Sequence, residues 1–138
     1  MRFKWLGIVL ILVTGLIHLV EGPEYLEEST VVGVLFFLNA AGSLVSAVGV
    51  YRGARGWGGG LGVFIAAGSI VAYVLSRTVG FLGFYDDEWL ESLGLASLVV
   101  EALFLGVAAR VLGRPAALSG SSRYGSGQAG AVARQPLA

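Results

Sequence analysis

The sequence predicts an all-α protein, a four-transmembrane-helix up-and-down bundle. Hydrophobic residues make up 56% of the 138 residues and charged residues only 13%, whereas soluble domains carry roughly 25% charged residues. The mean hydropathy is +0.81. Four charge-poor runs each approach the roughly 20 residues that a helix needs to cross a bilayer. Short connectors separate the runs, which favours antiparallel neighbours packed in a compact bundle.

Each helix has its own signals. The four spans are expected at about residues 4–22, 29–51, 57–77 and 88–112. Pro23 lacks a backbone N–H, so the first helix is expected to end there. The pair Ser29–Thr30 offers an N-cap for the second helix. A glycine-rich turn precedes the third helix, and the fourth contains a single acid, Glu101.

The last part of the chain has a different composition. Residues 115–138 are rich in Gly, Ser and Ala and contain few large apolar residues. Such a segment cannot bury enough apolar surface to fold. The sequence therefore predicts a membrane domain over residues 1–114 and a disordered cytoplasmic tail over residues 115–138.

The charges are polarised between the connectors. The basic residues on one predicted side of the membrane are Arg2, Lys4, Arg52, Arg55, Arg110, Arg114, Arg123 and Arg134. The acids on the other side are Glu21, Glu24, Glu27, Glu28, Asp86, Asp87, Glu88 and Glu91. Basic loops stay cytoplasmic, so the pattern predicts a multi-pass protein of the cell membrane with cytoplasmic N- and C-termini. Arg77 alone lies among the acids and is expected to pair with one of them.

Polar residues recur within the apolar runs at helical spacing. The predicted polar stripes are Thr14, His18 and Glu21; Asn39, Ser43 and Ser46; Ser69, Tyr73 and Ser76; and Gly94, Ser97 and Glu101. Unsatisfied polar groups are costly in hydrocarbon, so these stripes should face one another. They predict an outward-facing polar cavity, with a cavity or proton-relay set of His18, Glu101, Asn39, Tyr73, Thr14 and Ser97.

Two residues carry the chemistry that this cavity suggests. Glu101 is interpreted as a clasp hydrogen-bonded to Asn39 or Thr14, as a proton-relay group or charge partner of His18, or as a metal ligand. His18 is interpreted as a neutral ring that bridges two helices, or as a metal ligand. The spacing of His18 and Glu21 puts an imidazole and a carboxylate on one helical face, and an outer acid such as Glu24 or Glu88 would complete a metal site.

Several function classes are excluded by what the sequence lacks. The chain has no cysteine, which excludes thiol nucleophiles and thiolate metal ligands. No Ser-His-Asp arrangement is apparent, the glycines of RGARGWGGGLG lack the strand that a dinucleotide or phosphate loop requires, and no basic aromatic surface suggests nucleic acid. The sequence therefore favours a non-enzymatic or accessory membrane protein.

Three functional hypotheses remain open. The first is that the cavity binds a cation or a proton, with a divalent metal ion as the candidate cofactor. The second is a quinone-binding subunit or partner of a respiratory or redox complex, with the quinone headgroup near His18 and Tyr73. The third is a purely structural bundle. Expected partners are the lipid bilayer and either other membrane proteins or further copies of the chain.

Two stretches resemble known families. GLIHLVEGPEYLEE and GVLFFLNAAGSLVSAVGVYRGARGWGGGLG resemble uncharacterised small four-span membrane proteins of high-GC bacteria. More loosely, they resemble DoxX-like proteins, whose first span also ends in a histidine followed shortly by proline. The resemblance covers roughly residues 5–112 and implies association with quinone-linked or thiol-redox membrane complexes. A chain without cysteine would not itself perform the thiol chemistry.

Overall fold

The computed structural model describes residues 2–113, and this part of the chain contains helices and no strands. The helices are α1 (Arg2–Glu28), α2 (Thr30–Tyr51), α3 (Arg55–Thr78) and α4 (Ser92–Leu112). Each helix packs against the next, and α4 packs back against α1. The predicted four-helix bundle is confirmed. The predicted tail, residues 115–138, lies outside the described residues.

The outer surface of the bundle is apolar. All four helices are long and apolar enough to cross a membrane. Large apolar side chains cover their outward faces, among them Leu16, Val20 and Val99. Exposure of such a surface to water is unfavourable, whereas its contact with hydrocarbon is favourable. The protein is therefore built as a small multi-pass integral membrane protein in contact with lipid.

Helix α1 is longer than the sequence predicts, because it continues through Pro23 to Glu28. Proline removes one hydrogen bond from a helix interior, but the residues beyond it are held by packing. The Tyr25 ring stacks on the Phe36 ring of α2 at a centroid distance of 4.3 Å. Tertiary contacts therefore hold the last two turns in helical geometry.

The turn between α1 and α2 consists of one non-helical residue, Ser29. The predicted N-cap is confirmed, since the Ser29 hydroxyl accepts a hydrogen bond from the Val32 amide. So tight a turn forces the two helices together. Gly33 permits this approach, because a Cβ at that position would overlap the backbone of Leu26.

The loop between α3 and α4, residues 79–91, is compact. Gly80 and Gly83 adopt positive φ angles of 85° and 82°, which glycine tolerates without steric cost. Phe81 and Phe84 exchange backbone hydrogen bonds between them. Consequently α4 begins at Ser92, later than the expected residue 88. We call this end of the bundle, with the Ser29 turn, the acidic end, and the opposite end the basic end.

The apolar core lies nearer the basic end. Its buried members are Ile8, Ile11, Ala47, Ala66, Phe104 and Ala108. Gly62 leaves room for Phe104, since a Cβ on Gly62 would lie 2.6 Å from Phe104 Cζ. Helices α2 and α3 also meet closely at Gly49 and Gly58, where a Cβ on Gly58 would lie 2.8 Å from the Val50 nitrogen. The bundle is thus tightly packed in this half.

Candidate functional site

A cavity of about 510 Å³ lies between α2 and α3, with α1 and the loop of residues 79–91 also contributing to its lining, and its volume is within the usual range of small-molecule sites. We call it the lateral cavity. Its polar lining residues are His18, Tyr25, Asn39, Ser69, Tyr73, Ser76 and Arg77, and the rest of its lining is apolar or glycine. Two lining residues, Leu38 and Phe64, have exposed fractions of 61% and 76%. The lateral cavity therefore opens sideways, through an apolar rim, towards the lipid.

One wall of the lateral cavity is aromatic. His18, Phe36, Tyr25 and Phe84 all line it. The His18 and Phe36 rings have centroids 4.8 Å apart, Phe36 stacks on Tyr25, and the Phe84 ring meets Tyr25 edge-on at 5.7 Å. This series of rings presents flat apolar faces, which suit a planar ligand.

The side chain of His18 links this wall to the deep acid. His18 Nδ1 donates to the Thr14 carbonyl oxygen at 2.9 Å, and because a carbonyl only accepts, Nδ1 carries a hydrogen. The other ring nitrogen, Nε2, lies 3.9 Å from Glu101 Oε1. Glu101 is only 1% exposed. The imidazole and the carboxyl group thus form a buried pair at the back of the lateral cavity.

Hydrogen bonds join polar side chains of α2 to Ser69 of α3. Ser43 Oγ donates to Asn39 Oδ1 at 3.2 Å, and Asn39 Nδ2 donates to Ser69 Oγ at 2.6 Å. On its own helix, Glu101 Oε1 accepts from Ser97 Oγ at 3.0 Å.

The predicted polar set divides into two groups. His18, Asn39 and Tyr73 line the lateral cavity, whereas Thr14, Ser97 and Glu101 do not. All of the latter three are buried. Thr14 contributes its carbonyl to His18, and its hydroxyl has no hydrogen-bond partner within residues 2–113. Glu101 accepts a hydrogen bond from Ser97 and lies 3.9 Å from His18 Nε2, so its partners are not the expected Asn39 or Thr14.

Arg77 holds the acidic end of the lateral cavity together. Its Nη2 atom lies 2.8 Å from Asp86 Oδ2, which confirms the expected pairing with an acid. Its Nε donates to the Glu88 carbonyl at 3.0 Å. The guanidinium carbon lies 3.6 Å from the centroid of the Tyr73 ring, and Tyr73 donates its hydroxyl to the Trp89 carbonyl at 2.8 Å. Arg77 and Tyr73 therefore hold the loop of residues 79–91 against α3 at the acidic end of the lateral cavity.

Sequence reasoning did not place Arg77, Tyr25 or Phe36 in a site. Arg77 could have been recognised as a site residue from the sequence, because it is a lone cation at the end of an apolar run that precedes several acids. Tyr25 and Phe36 could not have been recognised in this way, since aromatic residues near a membrane interface are common. Their contribution depends on how α1 and α2 pack.

The proposed metal ligands do not assemble into a cluster. Glu21 is buried and its Oε1 has no hydrogen-bond partner within residues 2–113, while Glu24, one turn further along α1, is exposed. Among residues 2–113, no group of three or more His, Cys, Asp or Glu side chains could hold a metal ion. The described residues therefore add no support to the metal prediction.

No family model, curated protein or solved structure matches this chain.

Proposed function

We propose that the protein is an accessory membrane protein that binds a quinone, a membrane-dissolved planar ring with polar oxygens, in the lateral cavity. The observation that carries this proposal is the position of His18. It lies on the wall of a cavity whose rim, at Leu38 and Phe64, is apolar and exposed. A ligand dissolved in the bilayer can enter through such a rim without crossing water.

The composition of the cavity favours a quinone over a hydrated cation. A cation would lose its hydration shell at the apolar rim, and burying an unpaired charge is costly. A quinone ring would instead lie against Phe36 and Tyr25, and its oxygens would meet hydrogen-bonding groups at His18 and Asn39. Its apolar tail would leave between Leu38 and Phe64.

The buried pair of His18 and Glu101 explains how a histidine at this position would bind the ligand. His18 Nδ1 already carries a hydrogen because it donates to Thr14. His18 Nε2 and the Glu101 carboxyl then have one further proton between them in a neutral pair, which avoids a net charge in hydrocarbon. In our proposal, this proton is donated in a hydrogen bond to a ligand oxygen beside His18.

The binding test fills the cavity without disturbing the helices. A Cβ on Gly68, which lines the lateral cavity, would meet no atom within 4 Å, so Gly68→Leu would extend into the ligand space. Gly106 on α4 is also free of neighbours within 4 Å and lies outside the cavity, which makes Gly106→Leu the matched control. A short-chain ubiquinone or menaquinone analogue is titrated into the full chain in neutral detergent.

We expect the parent and Gly106→Leu to bind the analogue alike, and Gly68→Leu to bind it at least about tenfold more weakly, a loss of about 1.4 kcal/mol. His18→Gln should also weaken binding. Failure of the parent to bind either analogue, or equal binding by the two leucine variants, would contradict the proposal and leave the structural-bundle hypothesis. Extraction of the purified protein with organic solvent should release quinone from the parent.

The charge pattern supports a proposed orientation of the bundle in the membrane. Cytoplasmic loops are enriched in Lys and Arg, so we place the basic end, and with it both termini, in the cytoplasm. The acidic end and the loop held by Arg77 then face outwards, and the protein resides in the cell membrane.

A further inference from the structure

A second cavity, of about 260 Å³, lies at the basic end. Three cationic residues from three helices line it: Lys4 of α1, Arg55 of α3 and Arg110 of α4. The same cavity is lined by apolar residues, including Phe104 and Val107. We call it the basic pocket. It is separate from the lateral cavity, although both lie in the same bundle.

The three cations have no acidic partner at this end. All nine Asp and Glu residues of the chain lie at positions 21–28, 86–91 and 101. Within residues 2–113, the ion pairs involve only Arg77 and His18 as the basic partners. Lys4 Nζ instead donates to the Tyr51 carbonyl at 2.8 Å. Three uncompensated positive charges around one concave surface favour an anionic ligand.

We infer that the basic pocket binds an anionic phospholipid. Its phosphate would lie among Lys4, Arg55 and Arg110, since arginine presents paired N–H donors that match phosphate oxygens. Its acyl chain would follow the apolar lining at Phe104 and Val107. Basic pockets between transmembrane helices commonly recognise anionic headgroups in this way.

The apolar lining decides between a lipid and a soluble phosphate. A free phosphate ion would gain only from the three cations, and the contact with Phe104 and Val107 would add nothing to its binding. A phospholipid uses both parts of the pocket. It also reaches the pocket from the bilayer that already surrounds the helices.

The first test compares headgroups and charges. The full chain in neutral detergent is titrated with phosphatidylglycerol and with phosphatidylcholine of identical acyl chains, and bound lipid is counted by native mass spectrometry. We expect preferential binding of phosphatidylglycerol, and a loss of about fivefold in its affinity for Arg55→Gln or Arg110→Gln. Arg52→Gln, an exposed cation at the same end that does not line the pocket, should leave the affinity unchanged.

The second test leaves every charge in place. Gly59 lines the basic pocket, and a Cβ there would come no closer than 3.9 Å to Leu112, whereas its neighbour Gly60 has no atom within 4 Å and lies outside the pocket. Gly59→Leu should reduce binding of phosphatidylglycerol at least about fivefold, and Gly60→Leu should not. The comparison of Gly59→Leu with Gly60→Leu tests lipid binding in the basic pocket even if an arginine variant fails to fold.

Three results would overturn the inference. Equal binding of the two lipids would remove the role of the phosphate charge. An equal loss of affinity for phosphatidylglycerol in Arg52→Gln and Arg55→Gln would show that the basic surface as a whole, and not the basic pocket, attracts the lipid. Glycerol 3-phosphate that displaces phosphatidylglycerol at comparable concentration would identify a soluble phosphate, rather than a lipid, as the ligand.

Discussion

Replacing Glu101 by leucine tests whether the deep acid holds the helices together. The carboxyl group lies 3.9 Å from His18 Nε2 on α1, and it accepts a hydrogen bond from Ser97 on its own helix. Glu101→Leu removes both contacts and leaves their polar atoms in an apolar surrounding. The contact with His18 crosses between helices, so its loss should weaken the bundle.

The expected cost follows from the one interhelical contact. Such contacts in membrane proteins contribute about 0.6 kcal/mol on average and at most about 1.7 kcal/mol each. Glu101→Leu should therefore lower the free energy of unfolding by about 0.6–1.7 kcal/mol. Glu101→Gln should cost less than Glu101→Leu, because the amide oxygen still accepts from Ser97 and the amide N–H is a donor for His18 Nε2.

The assay is reversible unfolding in mixed micelles of neutral detergent and dodecyl sulfate, followed by tryptophan fluorescence. Val99→Leu is the control, since Val99 lies on the same helix and is 59% exposed. Surface changes of this kind usually stay within about 0.5 kcal/mol. If Glu101→Leu lowers the free energy of unfolding no more than Val99→Leu does, Glu101 does not hold the helices together. If Glu101→Gln costs as much as Glu101→Leu, ionic interaction rather than hydrogen bonding accounts for it.

Three further predictions test the packing, the loop and the orientation. Gly33→Ala should destabilise the protein by about 1–3 kcal/mol in the same unfolding assay, because its Cβ would overlap α1 and overpacking is costly; Gly68→Ala, with open space, should not. Arg77→Gln should speed amide exchange in the loop of residues 79–91 at least about tenfold, since hydrogen bonds to charged groups contribute about 1.5–3 kcal/mol, and unchanged exchange would contradict the assigned role. The parent chain is cysteine-free, so Asp87→Cys should react with an impermeant maleimide added to intact cells, and Arg52→Cys only after the membrane is permeabilised; the reverse pattern would refute the orientation.

The sequence was sufficient for those features of the fold that depend on single segments. The apolar runs predict the four helices because the transfer of each side chain into lipid depends little on its neighbours. Ser29 is recognisable as an N-cap for a similarly local reason, since its hydroxyl bonds to an amide within the next turn. The end of α1 was not predictable, because the packing of Tyr25 on Phe36 outweighs the local effect of Pro23.

The candidate site was predictable only in part. Helical periodicity identifies the inward face of each helix, and His18 and Glu101 are indeed buried together. Periodicity does not give the rotation or separation of one helix relative to another. For this reason Thr14 and Ser97, expected to line a cavity, lie outside its lining, while Arg77 lines it.

The sequence by itself determined that this chain forms four apolar helices with polar residues on their inner faces and opposite charges at their ends. Only the tertiary structure decided where a cavity lies. Glycines 49 and 58 let two backbones meet, and beyond that contact the side chains of α2 and α3 leave a space that opens to lipid. The physical reason is that side-chain transfer energies belong to single residues, whereas an enclosed volume is a property of two surfaces and the angle between them.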